Sequence, residues 1–307
     1  MPTDPSPASS RPPATGSSFP RRAFFGHHKC ATSWISRILM ETCYRLGLTL
    51  EIVHRTVEFE DYPTLEQYAR DHEAEVLAYT NAKIHHVRDL SFHRGFHVIR
   101  DPRDVLVSAY FSHLHSHPTD DWPELETHRE ELASLSKEEG LFCEMDFSAE
   151  EFEDMYDWDY TRDDILELKL EELSPAPIQG FTTVIDFLDM LDRTRTSGFE
   201  RTVKSAGLEM NRLLYKGRHV LPSTDPAPTL QTWPHIPEET LHSIVREKSF
   251  ENLSGGREKG EEDVTSHFRK GEPGDWVNHF TPPLKRAFKD RFNEVLVKTG
   301  YEQDDEW

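Results

Sequence analysis

The sequence predicts an α/β fold: a single domain in which a central, mainly parallel sheet is flanked by helices. Three observations predict it. Phe24-Phe25-Gly26 is a short apolar run that gives way to small and hydroxyl residues and then to a helical apolar pattern, so strand, loop and helix follow one another. Further apolar or alternating runs at 48–54, 76–79, 95–100 and 165–170 are separated by stretches with helical spacing or capping residues, the rhythm of strands joined by crossovers. Polar and basic groups gather just past these runs, at Lys29, Lys83 and Arg100, and in open α/β sheets ligands bind outside the carboxyl ends of the strands.

Length and charge bound the reading. A chain of 307 residues can bury a sizeable core as one domain, and no internal repeat divides it. Residues 1–20, rich in Pro and Ser, hold too little apolar material to fold and are expected to be a disordered tail, with the domain at 21–307. A net charge of −21 argues against nucleic acid as a partner. Cys30, Cys43 and Cys143 lack metal-ligand or disulfide spacing, and no apolar run is long enough to span a membrane. These features predict a cytoplasmic protein without a membrane span.

In chain order, Lys29, Cys30, Ala31, Thr32 and Ser33 fall where a helix begins, a place whose free N–H groups and dipole favour an anion. Trp34, Ile35, Ile38, Leu39, Cys43 and Leu46 mark the buried face of that helix, and Gly47 suits its end. A strand at 48–54 and a polar connection at 62–75 lead to the strand 76–79, whose end, 81–86, carries polar groups. After the strand 95–100, Asp101 is placed to cap a helix, Pro102 to open it and Asp104 to complement its dipole, the helix running to Leu114. Residues 115–162 are acidic and aromatic, read as solvated helical faces and core contacts, with a minority available to line a pocket. A strand at 165–170 and a helix at 181–191 follow. The five prolines between Pro222 and Pro237 predict an irregular connection, and helices are expected from Pro237 through Val245 and from Leu284 to Thr299.

The loop is P-loop-like without being the nucleotide-triphosphate signature, because no Gly-Lys pair follows Gly26. Lys29-Cys30-Ala31-Thr32-Ser33-Trp34 instead resembles the 5′-phosphosulfate loop of sulfotransferases that use 3′-phosphoadenosine 5′-phosphosulfate (PAPS), with Ala31 where the family usually has Gly. Val98-Ile99-Arg100-Asp101-Pro102-Arg103-Asp104-Val105-Leu106-Val107-Ser108 resembles the family's 3′-phosphate motif. Arg269-Lys270-Gly271, followed by Gly274-Asp275-Trp276, resembles the loop that closes over the same phosphate, and Ser249-Phe250 a segment near the adenine. Two departures stand out: Lys248 replaces a Thr, and Leu170-Glu171-Glu172-Leu173 lacks a Tyr.

The resemblance, spanning about Phe24 to Phe292, implies transfer of a sulfuryl group from PAPS to an acceptor hydroxyl or amine by in-line displacement, with no metal. By it, Lys29, Cys30, Ala31, Thr32, Ser33 and Trp34 hold the donor's 5′ end and adenine. Arg100, Ser108, Arg269, Lys270 and Gly271 hold its 3′-phosphate, with Phe250 nearby. Lys83-Ile84-His85 resembles the family's Lys-x-His, which makes His85 the general base, Lys83 an electrostatic helper and His86 a rival base. The acidic stretch 120–164 disfavours polyanionic acceptors, so a small molecule, neutral saccharide or lipid is expected. The family's dimer motif is kept only at Thr281, which leaves the oligomeric state open. Readings from other classes are a kinase on a similar fold, a nucleotide-binding module without activity, or a metal protein using His27, His28 and Cys30 or His113, His115 and His117.

Overall fold

A computed structural model describes residues 20–120, 122–194, 198–218 and 231–307. Nearly all of the tail, and the proline-rich connection up to 230, lie outside the described residues. The first half of the chain runs β1 (Arg22–Gly26), α1 (Thr32–Leu46), β2 (Leu50–Val53), α2 (Leu65–Asp71), β3 (Val76–Tyr79), α3 (Ile84–Val87), β4 (Arg94–Ile99) and α4 (Pro102–His115). Then come α5 (Pro123–Ser134), α6 (Lys137–Phe147), α7 (Ala149–Asp157), β5 (Ile165–Lys169), α8 (Leu170–Leu173) and α9 (Pro177–Phe187). The remainder is β6 (Leu191–Asp192), α10 (Gly198–Arg218), β7 (Ile236–Pro237), α11 (Glu238–Glu247), α12 (Phe250–Leu253) and α13 (Pro282–Lys298).

The main sheet has the order β2-β3-β1-β4-β5, all parallel, and β6 and β7 form a small parallel pair. Its inner strands β1 and β3 are apolar on both faces because helices cover both faces. Phe24 packs with Ile35, Ile38, Leu39, Phe96 and Phe181 on one side. Phe25 packs with Leu77, Tyr79 and Trp158 on the other. A third cluster joins α4, α6 and α7 to α13 through Leu106, Tyr110, Met145, Phe152 and Phe288.

From β1 the chain moves outward to β2 and returns through β3; from β4 it moves the opposite way to β5. Strand order therefore reverses between β1 and β4, the position at which an α/β sheet opens a crevice for ligand. Both strands end there, with Gly26 opposite Val98. That is how Lys29 and Arg100, 71 residues apart, come to share a hydrogen bond: Arg100 Nη1 donates to the Lys29 carbonyl at 3.3 Å.

Local expectations and the structure agree closely where the cap chemistry is strong. Gly47 ends α1 at φ 68°, its N–H on the Cys43 and Tyr44 carbonyls. Asp101 accepts from the Arg103 N–H and Pro102 opens α4. Two corrections are instructive. The stretch 81–86 does not extend β3: the Thr80 N–H ends the ladder on Val53 O, the Ala82 N–H turns to Gly26 O, and residues 84–87 coil into α3. Ile84 and Val87, three apart, bury one face of that turn, which leaves His85 exposed. The acidic stretch 115–162, read as helical faces, does form three helices, one entered through a Ser136/Glu139 capping box, whereas the second correction is α10, which has no counterpart in the sequence reading.

Candidate active site

The turn between β1 and α1 is built from two left-handed residues that are not glycine, Lys29 (φ 65°) and Ala31 (φ 58°). The Cys30 N–H closes this turn on the His27 carbonyl at 3.1 Å, and no side chain caps the start of α1, so none occupies its first N–H groups. The geometry suits an anion. It also strains Ala31, since a left-handed conformation costs an L-residue about 1–2 kcal/mol. Ala31→Gly is therefore expected to stabilise the fold by about 0.5–1 kcal/mol, read as a higher urea midpoint; an unchanged or lower midpoint would show that the turn holds no strain.

Lys29 is half-buried, and burial, with Arg100 and Arg269 nearby, pulls its ammonium down to about 7 although Glu144 opposes the shift. Arg100, at the end of β4, lies 3.8 Å from Asp104, and Ser108 reaches the same cleft from two turns into α4. Asp104 is buried and accepts hydrogen bonds from the N–H groups of Gly274 (2.5 Å) and Trp276 (2.9 Å). This docks the loop 269–276 against α4. Within the loop, Arg269 and Lys270 each hold one oxygen of Asp275 at 2.6 Å, and Arg269 also pairs with Glu262. Burial opposes its ionisation, but these hydrogen bonds hold the Asp275 carboxyl well below the usual carboxylate range. At Gly271 (φ 73°) a Cβ would lie 2.5 Å from the Phe250 ring, so only glycine lets loop and ring meet.

These segments converge. One cleft of about 970 Å³ is lined by Lys29, Ala31, Thr32, Ser33, Trp34, Arg100, Ser108, Phe250, Arg269, Lys270 and Gly271. Trp34 is held as a wall, its indole N–H on the Lys248 carbonyl at 2.8 Å and its ring edge-on to Phe181.

Three expected site residues do not line the cleft. The Cys30 side chain is buried in the α4/α6 core, and burial pushes its thiol up to about 12. Lys83 turns to Glu150, with Asp154 at 4.0 Å; burial works against its charge, but these carboxylates raise its pKa. His85 stands exposed, its ring 4.0 Å from that of His86, whose Nδ1 meets the Tyr79 hydroxyl at 2.9 Å. Neither histidine lines the cleft.

The histidines that do line it are His28, His54, His117 and His267, with Thr80, Asn81, Glu58, Asp120 and Trp122 on the same walls. Of these, Thr80 and Asn81 had a sequence signal, being the first residues past an apolar strand. His28 entered the sequence reading only as a metal-ligand candidate, because what sets it apart here is contact with His113, 85 residues away, at 3.0 Å between Nε2 atoms.

Residues 229–300 match the family described as Sulfotransferase domain. No curated protein matches the chain. Among solved structures, mouse sulfotransferase SULT7A1 complexed with PAP is similar at a TM-score of 0.44 and 14% identity, over 91% of this chain and 86% of that one. Retinol dehydratase in complex with androsterone and inactive cofactor PAP is similar at 0.43 and 13%, over 90% and 81%. The segment that brings Phe250, Arg269, Lys270 and Gly271 to the cleft lies within the residues that match this family.

Proposed function

We propose that this chain transfers a sulfuryl group from PAPS to the hydroxyl or amine of a neutral acceptor by in-line displacement. The observation that carries the reading is convergence: segments near residues 29, 100 and 270, far apart in sequence, meet in one cleft at the point where strand order reverses. The residues present fit an adenosine bisphosphate group. Left-handed Lys29 and Ala31 and the uncapped start of α1 make a cradle for one phosphate. Arg100, Ser108, Arg269 and Lys270 supply donors for a second, and Gly271 and Phe250 shape its lid.

In this scheme Lys29 holds the bridging oxygen and neutralises the charge that grows there, while Thr32 and Ser33 donate to the neighbouring oxygens. The rest is positioning, as in phosphoryl transfer. Glu58 and Asp120 line the cleft beside Arg37, Arg55 and Lys259, so it is not a uniformly basic groove of the kind a polyanion needs, which supports a small neutral acceptor or a neutral saccharide or lipid headgroup.

Calorimetric titration with 3′-phosphoadenosine 5′-phosphate (PAP), beside ATP, tests the reading. Tight binding of the bisphosphate is expected, weakened about 10–100-fold in Arg269→Ala because a charge-assisted hydrogen bond contributes about 1.5–3 kcal/mol. No heat of binding to folded wild-type protein would remove the proposal.

A further inference from the structure

Consecutive histidines of the loop are each wired to a second histidine and then to a carboxylate. His27 Nε2 is 2.9 Å from His97 Nε2, whose ring meets Glu167 at 2.6 Å through Nδ1. His28 Nε2 is 3.0 Å from His113 Nε2, whose Nδ1 meets Glu144 at 3.0 Å. The two relays differ in one respect: His28 lines the cleft and His27 does not.

Protonation follows from the far end of the second relay. Glu144 is fully buried, yet His113, the His128 Nε2–H at 2.9 Å and the Ser148 hydroxyl at 2.5 Å all converge on it. Burial resists its ionisation, and those partners more than offset this, so its pKa is lowered. Burial lowers the His113 pKa against the pull of Glu144, so the neutral ring gives its Nδ1–H to the ionised carboxylate and keeps Nε2 as a lone pair. His28 must then donate its own Nε2–H, and His28 Nδ1 becomes the basic nitrogen. The opposite tautomer would set the His113 lone pair against a carboxylate. Among the described residues no hydrogen bond reaches His28 Nδ1. Among the other cleft histidines, His117 Nδ1 donates to the Pro118 carbonyl and His54 Nδ1 meets the Thr80 hydroxyl at 2.8 Å, and among the described residues no hydrogen bond links these two or His267 to a second histidine and a carboxylate.

We propose that His28 is the base that removes the acceptor's proton, in place of His85, with His113 and Glu144 as positioning residues. The inference rests on the sulfuryl-transfer reading. The acceptor oxygen attacks sulfur, the bond from sulfur to the bridging oxygen breaks, and its electron pair leaves on the 5′-phosphate. The acceptor's proton goes to His28 Nδ1. The imidazolium so formed donates through Nε2 to His113, whose Nδ1–H is held by the Glu144 charge, and the proton is released to water when the ester leaves.

The test combines ring ¹⁵N NMR of the full chain bound to PAP with transfer of labelled sulfuryl from PAPS to phenol and to water. His28 is expected to carry its proton on Nε2 and none on Nδ1. His28→Gln should lower kcat at least ~100-fold while PAP affinity, by calorimetry, stays within about threefold. Glu144→Gln should lower kcat about tenfold with the phenol KM unchanged. The ring signals decide even where phenol is a poor acceptor. A proton on Nδ1, an imidazolium at neutral pH, or full turnover in His28→Gln beside lost turnover in His85→Ala overturns the assignment. Absent PAP binding to the wild type would instead remove the sulfuryl-transfer reading on which it rests.

Discussion

Lys29→Met is expected to lower the turnover of sulfuryl transfer by roughly 10²–10³-fold, the range seen when one preorganised donor to a developing oxyanion is removed. The fold should not suffer. The Lys29 ammonium is half-buried beside Arg100 and Arg269, and its pKa of about 7 means that the fold holds it charged only against resistance. The sign of the linkage is fixed by that shift. A lysine whose folded pKa is depressed binds fewer protons when folded, so its contribution to stability rises with pH between about 7 and the usual lysine range. Bound phosphate reverses this by favouring the charged form. Above pH 7, binding of PAP should take up a proton, and affinity should fall by up to ~10-fold per pH unit as the solution becomes more basic. Calorimetry in buffers of different ionisation heat reads the proton directly. Pairing that result with unchanged unfolding midpoints and lost turnover in Lys29→Met would separate catalysis from folding. Turnover that survives the substitution would remove Lys29 from the chemistry.

Asp104→Ala should be the most damaging single change to the described site as a structure. The buried carboxylate satisfies two N–H groups of the loop that carries Arg269 and Lys270, and it faces Arg100. Removing it strands both donors and leaves the Arg100 guanidinium without its nearby counter-charge, a loss of about 2–4 kcal/mol in unfolding free energy. Bisphosphate affinity should drop at least ~10-fold because the loop is no longer docked. Asp104→Asn, which keeps one acceptor oxygen, should fall between the two. Denaturant unfolding and calorimetry check both arms. If neither moved, the loop would have to be held by contacts other than Asp104.

What was legible in the sequence, and what was not, has a physical pattern. Strands such as 76–79 and 95–99 announce themselves because a parallel sheet covered on both faces needs unbroken apolar runs. The segments that meet in the cleft were legible because Lys29, Arg100 and Arg269 stand at backbone features set by their immediate neighbours. The base was not. His85 matched a three-residue pattern, but the inward pull of Ile84 and Val87 decides where that turn faces, and it faces solvent. His28 depends on partners at 113 and 144, distances over which local pattern says nothing. The same holds for Cys30: lying in the loop sequence, it is drawn into the core by Val105, Leu106 and Val107 of a helix that arrives much later in the chain. The long helix α10, whose Leu208 reaches the core, was also missed.

The pairing of Arg269 and Lys270 with Asp275 makes the loop a two-key lock. Both cations already hold a carboxylate, so an anion that offers a single phosphate must break an existing pair to make a new one and gains little by the exchange. A ligand that also engages Lys29 at the other end of the cleft draws on a second set of donors and tips the balance. An anion with a single phosphate presents only one key, and a protein with a net charge of −21 can keep an anion site selective without keeping it shut.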